Sequence, residues 1–347
     1  MDLYVSIQGR HRVGAGPQSG GDRVFRGLGG FEFEEVTERF GTKEDRAGLS
    51  FVATWFDADR DGALDVFTAK DRGSELVPTR LLIQPGEPDQ EWTESSQGFE
   101  LDIYADGMGV GVGDVQGDGA VEVVVSDNYG RIHIRSIEDG RARDVGPTWG
   151  AVAQNPVEHE TTWAVEFADL DNDADLDLVA AFGRREYGLH TASMSNNLWE
   201  WVDEAGRFRE RIGMLDQPPT SGLTAWRGVA PVDLDGDGTL ELIYSSHVGP
   251  VSIQRTAPTL NRWVAIALDG PETNPDGLGA EVRVRAGSKV FVQWIGAGTT
   301  GVHSVREPVA HFGLGPSLES VAVEVLWPGG RLDSYDVELD TLNRLAY

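Results

Sequence analysis

The sequence predicts an all-β protein in which a β-propeller precedes a small β-sandwich. Three observations support this fold class. An acidic loop recurs four times at intervals of 55–64 residues. Short runs of β-branched, aliphatic and aromatic residues flank each copy, as strands do. Beyond residue 257 the acidic loops stop, and apolar residues alternate with polar ones. We therefore predict propeller repeats over residues 1–257 and a sandwich over residues 258–347.

Each loop places oxygen-bearing side chains at its positions 1, 3, 5 and 9, and three copies have glycine at position 6. Calcium suits such a loop because it takes six to eight oxygen ligands and tolerates irregular geometry, whereas magnesium needs a stricter octahedron and zinc prefers nitrogen or sulfur. The predicted ligands are Asp57, Asp59, Asp61 and Asp65; Asp114, Gln116, Asp118 and Glu122; Asp169, Asp171, Asp173 and Asp177; and Asp233, Asp235, Asp237 and Glu241. We expect about one Ca²⁺ per loop, up to four.

The EF-hand is the alternative calcium loop, because its sequence begins in the same way. It needs a bidentate glutamate at position 12 and a helix on each side. Position 12 here is Thr68, Val125, Ala180 or Tyr244. The flanking residues, such as 49–55, favour strands. The sequence therefore predicts a strand–loop–strand unit and excludes the EF-hand.

Two of the loops depart from the common pattern. Gln116 supplies a neutral oxygen where the other copies have aspartate. Ala174 stands in the place of the glycine that allows a sharp turn at positive φ. This alanine either strains the turn or changes its conformation. The additional acid Asp175 would allow the ligand positions of this loop to shift by two residues.

A second apolar run recurs between the loops and sets the size of the repeat. Phe25, Leu82, Ile132 and Leu198 each precede the first acid of the next loop by 32–37 residues. Units of about sixty residues suit four-stranded propeller blades, with a linear solenoid as the alternative. We predict four full blades and a partial N-terminal one, forming an open, incomplete ring. Asp2 and Leu3 look like the end of an earlier loop, so we expect earlier repeats and an export signal upstream.

The residues after 257 contain four predicted strands, at 263–268, 280–285, 290–294 and 321–327. Turn sequences at 274–277 and 328–330 separate them. Alternating runs joined by such turns are typical of a β-sandwich.

Composition excludes several classes of function. The net charge of −28 opposes binding to nucleic acid, because phosphates need a basic surface. The absence of cysteine excludes disulfides and thiolate sites. No apolar run is long enough to cross a membrane.

These residues resemble a known combination, in which FG-GAP/VCBS-type propeller repeats precede an ASPIC/UnbV domain, as in the cartilage acidic protein 1-like family. The repeat resemblance covers residues 1–255 and rests on the four acidic loops and on residues 22–37. The tail resemblance rests on blocks at 261–264, 274–280, 311–315 and 327–330. The resemblance implies a secreted, periplasmic or cell-surface protein that binds calcium.

The sequence contains no recognisable catalytic motif, so we predict no catalytic residue. His159 lacks the second histidine of a zinc-protease motif, and His247 is not preceded by a nucleophile elbow. The tryptophans favour blade packing, although some could line a sugar-binding face. We therefore predict a binding, adhesion or scaffold module for an extracellular protein or glycan. The alternative is a polysaccharide-active hydrolase or lyase on a calcium-stabilised propeller.

Overall fold

The computed structural model describes residues 3–7, 21–85, 90–128, 130–151, 160–184, 197–211, 225–247, 249–287, 289–296, 301, 303–316 and 320–347. This part of the chain contains 25 strands, the short helix α1 (Gly146–Trp149) and 3₁₀ turns at Thr37–Arg39 and Asp203–Ala205. Asp2 and His159 lie outside the described residues. The prediction of an all-β protein is confirmed.

An N-terminal sheet is followed by four sheets that correspond to propeller blades. The N-terminal sheet contains β1 (Leu3–Val5), β2 (Arg23–Gly29) and β3 (Glu32–Glu35). Blade 1 contains β4 (Leu49–Phe56), β5 (Asp65–Asp71), β6 (Arg80–Ile83) and β7 (Thr93–Glu94). Blade 2 contains β8 (Val110–Gly113), β9 (Val121–Ser126), β10 (Ile132–Glu138) and β11 (Arg141–Asp144). Blade 3 contains β12 (Glu160–Ala168), β13 (Asp177–Arg184), β14 (Asn197–Val202) and β15 (Arg207–Glu210). Blade 4 contains three described strands, β16 (Trp226–Val232), β17 (Glu241–Ser246) and β18 (Ser252–Arg255).

Each acidic loop connects the first and second strands of its blade. We call them loop 1 (residues 57–65), loop 2 (114–122), loop 3 (169–177) and loop 4 (233–241). In every copy the residue before position 1 pairs with the acid at position 9. These pairs are Phe56 with Asp65, Gly113 with Glu122, Ala168 with Asp177 and Val232 with Glu241. The loops are therefore hairpin connections, and the strand–loop–strand prediction is confirmed.

The apolar cores lie between neighbouring sheets. Phe67 and Val125 share the core between blades 1 and 2, and Val124 and Phe167 share the core between blades 2 and 3. Trp226 packs with residues of blade 3 in the next core. Burial of each such side chain stabilises the fold by about 1.5–3 kcal/mol. Consecutive blades are thus held face to face, as the propeller prediction requires.

The seven strands after blade 4 form two sheets around one core, and we call residues 262–346 the tail module. One sheet contains β22 (Val309–Gly315), β19 (Arg262–Asp269) and β25 (Leu342–Ala346). The other contains β21 (Lys289–Trp294), β20 (Glu281–Ala286), β23 (Ala322–Leu326) and β24 (Leu332–Tyr335). Ile266, Val284 and Phe312 meet in the shared core, which is that of a sandwich. The boundary between residues 257 and 258 stays a prediction.

The tail module lies against the acidic loops, a contact that the sequence pattern did not predict. The ring centroids of Phe56, beside loop 1, and Trp294 are 6.2 Å apart. The Val290 amide donates to the Gly117 carbonyl of loop 2 at 3.3 Å. A Cβ built on Gly238 of loop 4 would lie 2.0 Å from the Trp263 ring. The tail module is therefore a cover over the loops.

We expect Trp294→Ala to lower the free energy of unfolding by about 3–5 kcal/mol, the usual cost of truncating a buried tryptophan. Trp294 is 6% exposed and belongs to the core between blades 1 and 2, so its loss also removes a contact between tail and blades. Calorimetry should then resolve separate transitions for the tail and the blades. Trp327→Ala is the control, because Trp327 lies within the tail core. A Trp294→Ala protein with unchanged stability would contradict the docked arrangement.

Candidate metal sites

The aspartate at position 1 organises every loop through its two carboxylate oxygens. One oxygen accepts the backbone N–H of position 5 at 3.1–3.2 Å. The other accepts the N–H of position 6 at 2.9–3.0 Å. The chain is thereby drawn into a tight turn around this side chain. The same two bonds in four copies show that loop conformation is a property of the repeat.

The acid at position 9 closes the loop from the second strand. Its carboxylate accepts the backbone N–H of position 2 at 2.8–3.2 Å in all four copies. The second oxygen of Asp65 accepts the N–H of Gln84, which lies directly after the third strand of blade 1. The second oxygen of Asp177 accepts the N–H of Trp201, which lies on the third strand of blade 3. Asp65 and Asp177 therefore stabilise the hairpin as well as facing the loop.

Two residues in every loop have positive φ, at positions 4 and 6. Position 6 has φ of 89° at Gly62 and 77° at Ala174. Ala174 donates its N–H to Asp169 as the glycines do to their aspartates. The alternative in which the ligand positions of loop 3 shift by two residues is therefore wrong. Loop 3 keeps the turn of the other loops, with Ala174 in a strained conformation. Position 4, occupied by Arg60 and Asn172 in loops 1 and 3, was not anticipated from sequence.

Three of the four loops bring three carboxylates together, with one oxygen of each within 4.8 Å of the others. These groups are Asp57, Asp59 and Asp61; Asp169, Asp171 and Asp173; and Asp233, Asp235 and Glu241. Among the described residues loop 2 has no such group, because Gln116 replaces the acid at position 3. Asp65, Asp177 and Asp237 stand outside these triplets.

Burial makes several carboxylates of loops 1, 2 and 3 unfavourable as free anions. Loss of water raises the pKa of Asp57 to about 6, of Asp114 to about 7, and of Asp65 and Glu122 to about 8. The pKa of Asp169 is also raised well above its ordinary value, first by burial and then by the neighbouring acids. A bound cation would offset this penalty, because it neutralises carboxylates that the fold holds together.

Several oxygens in the loops have no hydrogen-bond partner although they are buried. They include Oε1 of Glu122, Oδ1 of Asp171 and Oδ1 of Asp175. Buried polar atoms normally find a partner. A hard cation ligated by carboxylates would satisfy them, so the donor set fits calcium. Asp175, which the sequence analysis treated only as a source of register shift, is thus a further buried acid of loop 3, outside the triplet of Asp169, Asp171 and Asp173.

Ionisable groups outside the loops serve the fold. Lys70 Nζ lies 3.1 Å from Asp22 Oδ2 and 2.6 Å from Ser50 Oγ, and all three side chains are buried. Burial lowers the pKa of His311 to about 3, and the neutral ring stacks on Trp263 at 5.6 Å between centroids. These arrangements are packed rather than open to a substrate.

The sequence analysis assigned the tryptophans mainly to blade packing, and four of them in blades 3 and 4 can be compared with that expectation. Trp199, Trp201 and Trp226 are fully buried in the blades. Trp163 is half-buried, with the Arg227 guanidinium 4.0 Å above its ring. Packing therefore explains the first three.

The fold and the loops define the class: a propeller repeat protein whose acidic hairpin loops lie beneath a C-terminal sandwich. The family model described as FG-GAP-like repeat matches residues 114–180, and the model described as ASPIC and UnbV matches residues 270–344. The chain thus combines a segment that matches FG-GAP-like repeats with a C-terminal segment that matches ASPIC and UnbV.

Curated relatives of this chain include cartilage acidic protein 1 sequences. The chain is 30% identical to that of Xenopus tropicalis over 304 residues, covering 82% of this chain and 43% of the relative. The human protein is 30% identical over 301 residues, covering 81% and 41%. The chain thus spans less than half the length of these relatives.

Among solved structures, AofleA from Arthrobotrys oligospora aligns with 100% of this chain and 90% of its own. Its TM-score is 0.38 and its identity 11%, so the likeness is too loose to bear on fold or function. In the part of the chain that the structure describes, no helix is long and apolar enough to cross a membrane.

Metal-stripped protein should become less stable as pH rises from about 4 to about 8. Asp57, Asp65 and Glu122 have raised pKa values in the folded state, so the folded chain binds more protons than the unfolded chain in this range. The free energy of unfolding then falls as pH rises through these pKa values. Melting temperatures in chelator-treated buffer test this. A constant or rising melting temperature would contradict it, and added calcium should remove the trend by displacing the protons.

Gly62→Ala should lower the free energy of unfolding by about 1–2 kcal/mol, the cost of a left-handed conformation for an L-residue. No atom lies within 4 Å of a Cβ built there, so the cost is conformational. The response to calcium should persist, because Ala174 already takes this conformation in loop 3. Gly287→Ala, with φ of 65° and equally open space but outside the loops, is the matched control. Denaturant titrations with and without calcium measure both; loss of the calcium response only in Gly62→Ala would contradict the prediction.

Proposed function

We propose that this chain is a secreted, periplasmic or cell-surface calcium-binding protein that acts as a binding, adhesion or scaffold module. The observation that carries the proposal is the common geometry of the four loops. In each, backbone N–H groups hold the first and ninth carboxylates in place. In loops 1, 3 and 4, three carboxylates then lie with one oxygen of each within 4.8 Å of the others.

The proposed ligands are the acids at positions 1, 3, 5 and 9 of the loops, with Gln116 as a neutral oxygen in loop 2. The charge of the ligand set tunes calcium affinity, so loop 2 is the weakest site. When bound, calcium supplies charge neutralisation and a rigid link between the strands of a hairpin. This role is structural, and the binding module is the blade array that calcium stabilises.

A polar groove beside loops 1 and 2 offers a surface for a partner. Its volume is about 880 Å³, and its lining includes Asp59, Asp118, Glu138 and Trp149. The Trp149 ring packs against Trp201 at 4.7 Å between centroids, which holds it in a fixed orientation. An indole beside carboxylates and two proposed calcium loops suits an extracellular protein or a glycan. The relatives' name, cartilage acidic protein 1, agrees with an extracellular setting.

Calcium should raise the melting temperature, and its removal should lower it. A ligand bound only by the folded state adds about 2.7 kcal/mol per site at a hundredfold excess over its dissociation constant. Calorimetric titration of metal-stripped protein with calcium should show up to four sites. Asp118→Asn should remove the weakest site, at loop 2, and Asp61→Asn should remove a tighter site, at loop 1. Magnesium at the same concentration is the control for ion type. Absence of binding heat together with an unchanged melting curve would overturn the proposal.

A further inference from the structure

Loop 3 differs from the other loops in how closely the tail module covers it. Gly315 donates its N–H to the Asn172 carbonyl at 2.8 Å, and His311 Nε2 lies 2.8 Å from Asn172 Oδ1. Asn261 donates to the Asp171 carbonyl at 3.0 Å and Lys289 to the Ala174 carbonyl at 3.1 Å. Three groups of the tail module, together with the side chain of Asn261 directly before it, thus bond to one loop.

The same loop holds the densest group of acids in the described chain. It carries five aspartates at alternate positions, of which Asp169, Asp175 and Asp177 are 3–4% exposed. Asp175 Oδ1 has no hydrogen-bond partner. Asp175 and Asp169 also line a cavity of about 10 Å³, closed on its other side by tail residues such as Phe312 and Gly313. A buried, unpartnered carboxylate facing such a cavity points to a cation.

The tail leaves no room for the loop to move beneath it. A Cβ built on Gly313 would lie 2.0 Å from Asp169 Oδ2 and 2.4 Å from Asn172 Cα. Repulsion among uncompensated carboxylates would widen the loop, and a widened loop would collide with β22. The metal-free loop and the docked tail therefore oppose each other.

We propose that loop 3 is a metal-dependent latch for the tail module, in which Asp175 joins Asp169, Asp171 and Asp173 as a cation ligand. Binding of the cation keeps the loop narrow and offsets the cost of covering its acids, so the tail docks. Docking in turn raises cation affinity at loop 3, because coupling between two binding events is reciprocal. This inference rests on the proposed calcium-binding function and adds a regulatory role for one of its four sites.

The test is hydrogen exchange of β22 in the full chain, measured with calcium and after chelation. Exchange of residues 309–315 should speed up by about tenfold or more on chelation, within the usual range of allosteric coupling. Asp171→Asn combined with Asp173→Asn removes both the site and much of the repulsion, so exchange should become slow and independent of calcium. Asp59→Asn combined with Asp61→Asn is the matched control in loop 1. It should lose one calcium site and keep the response of β22.

Asp175 is tested as a ligand by Asp175→Asn, which should weaken one calcium site by about tenfold. Asp203→Asn is the control, because Asp203 is an exposed acid that bonds Lys289 but lies outside the loop. Equal affinities in the two variants would overturn the role of Asp175. Unchanged β22 exchange on chelation, with calcium binding intact by calorimetry, would overturn the latch alone. Absence of calcium binding at every loop would overturn the proposed function and the latch together.

Discussion

The structure depends on one constraint, which is the burial of carboxylates, above all the acid at position 9, in the first hairpin of every blade. The fold satisfies part of their hydrogen-bonding capacity with backbone N–H groups, as at Asp57 and Asp114. It leaves the negative charge uncompensated, as the raised pKa of Glu122 records. At position 9 the carboxylates of all four loops are at most 3% exposed, so water solvates them poorly. A bound cation, as proposed above, would neutralise these carboxylates.

The acidic loops are also bonded to each other, so they form a connected layer. Arg60 donates to the Gly119 carbonyl between loops 1 and 2, and Leu176 donates to Val115 between loops 2 and 3 at 2.9 Å. Asn172 donates to the Gly238 carbonyl between loops 3 and 4 at 2.9 Å. Order in one loop therefore supports its neighbour. The tail module rests on this layer, which makes the loops the centre of the molecule rather than its periphery.

Sequence predicts the parts of this arrangement that depend on local spacing. The alternation of acids fixes which residues face the loop interior, and the pairing of Phe56 with Asp65 follows from a hairpin of that length. The position of the tail could not be predicted, because it depends on the shape of a surface assembled from four blades. The contact between His311 and Asn172 joins residues 139 positions apart and leaves no local pattern. The surroundings of Asp175 could not be predicted for a related reason, because residues of the tail module line the same small cavity.

Glycine links the turn chemistry of the loops to the docking of the tail. Gly117 has φ of 65°, and a Cβ there would lie 2.3 Å from the Phe291 ring. Gly238 has φ of 84°, and a Cβ there would lie 2.0 Å from the Trp263 ring. At these positions the absence of a Cβ atom both permits the positive φ of the acidic turn and makes room for a ring of the tail module. The turn of the acidic loop and the packing of the tail module thus both require glycine at these two positions. A substitution there would therefore disturb the loop conformation and the docking of the tail module together.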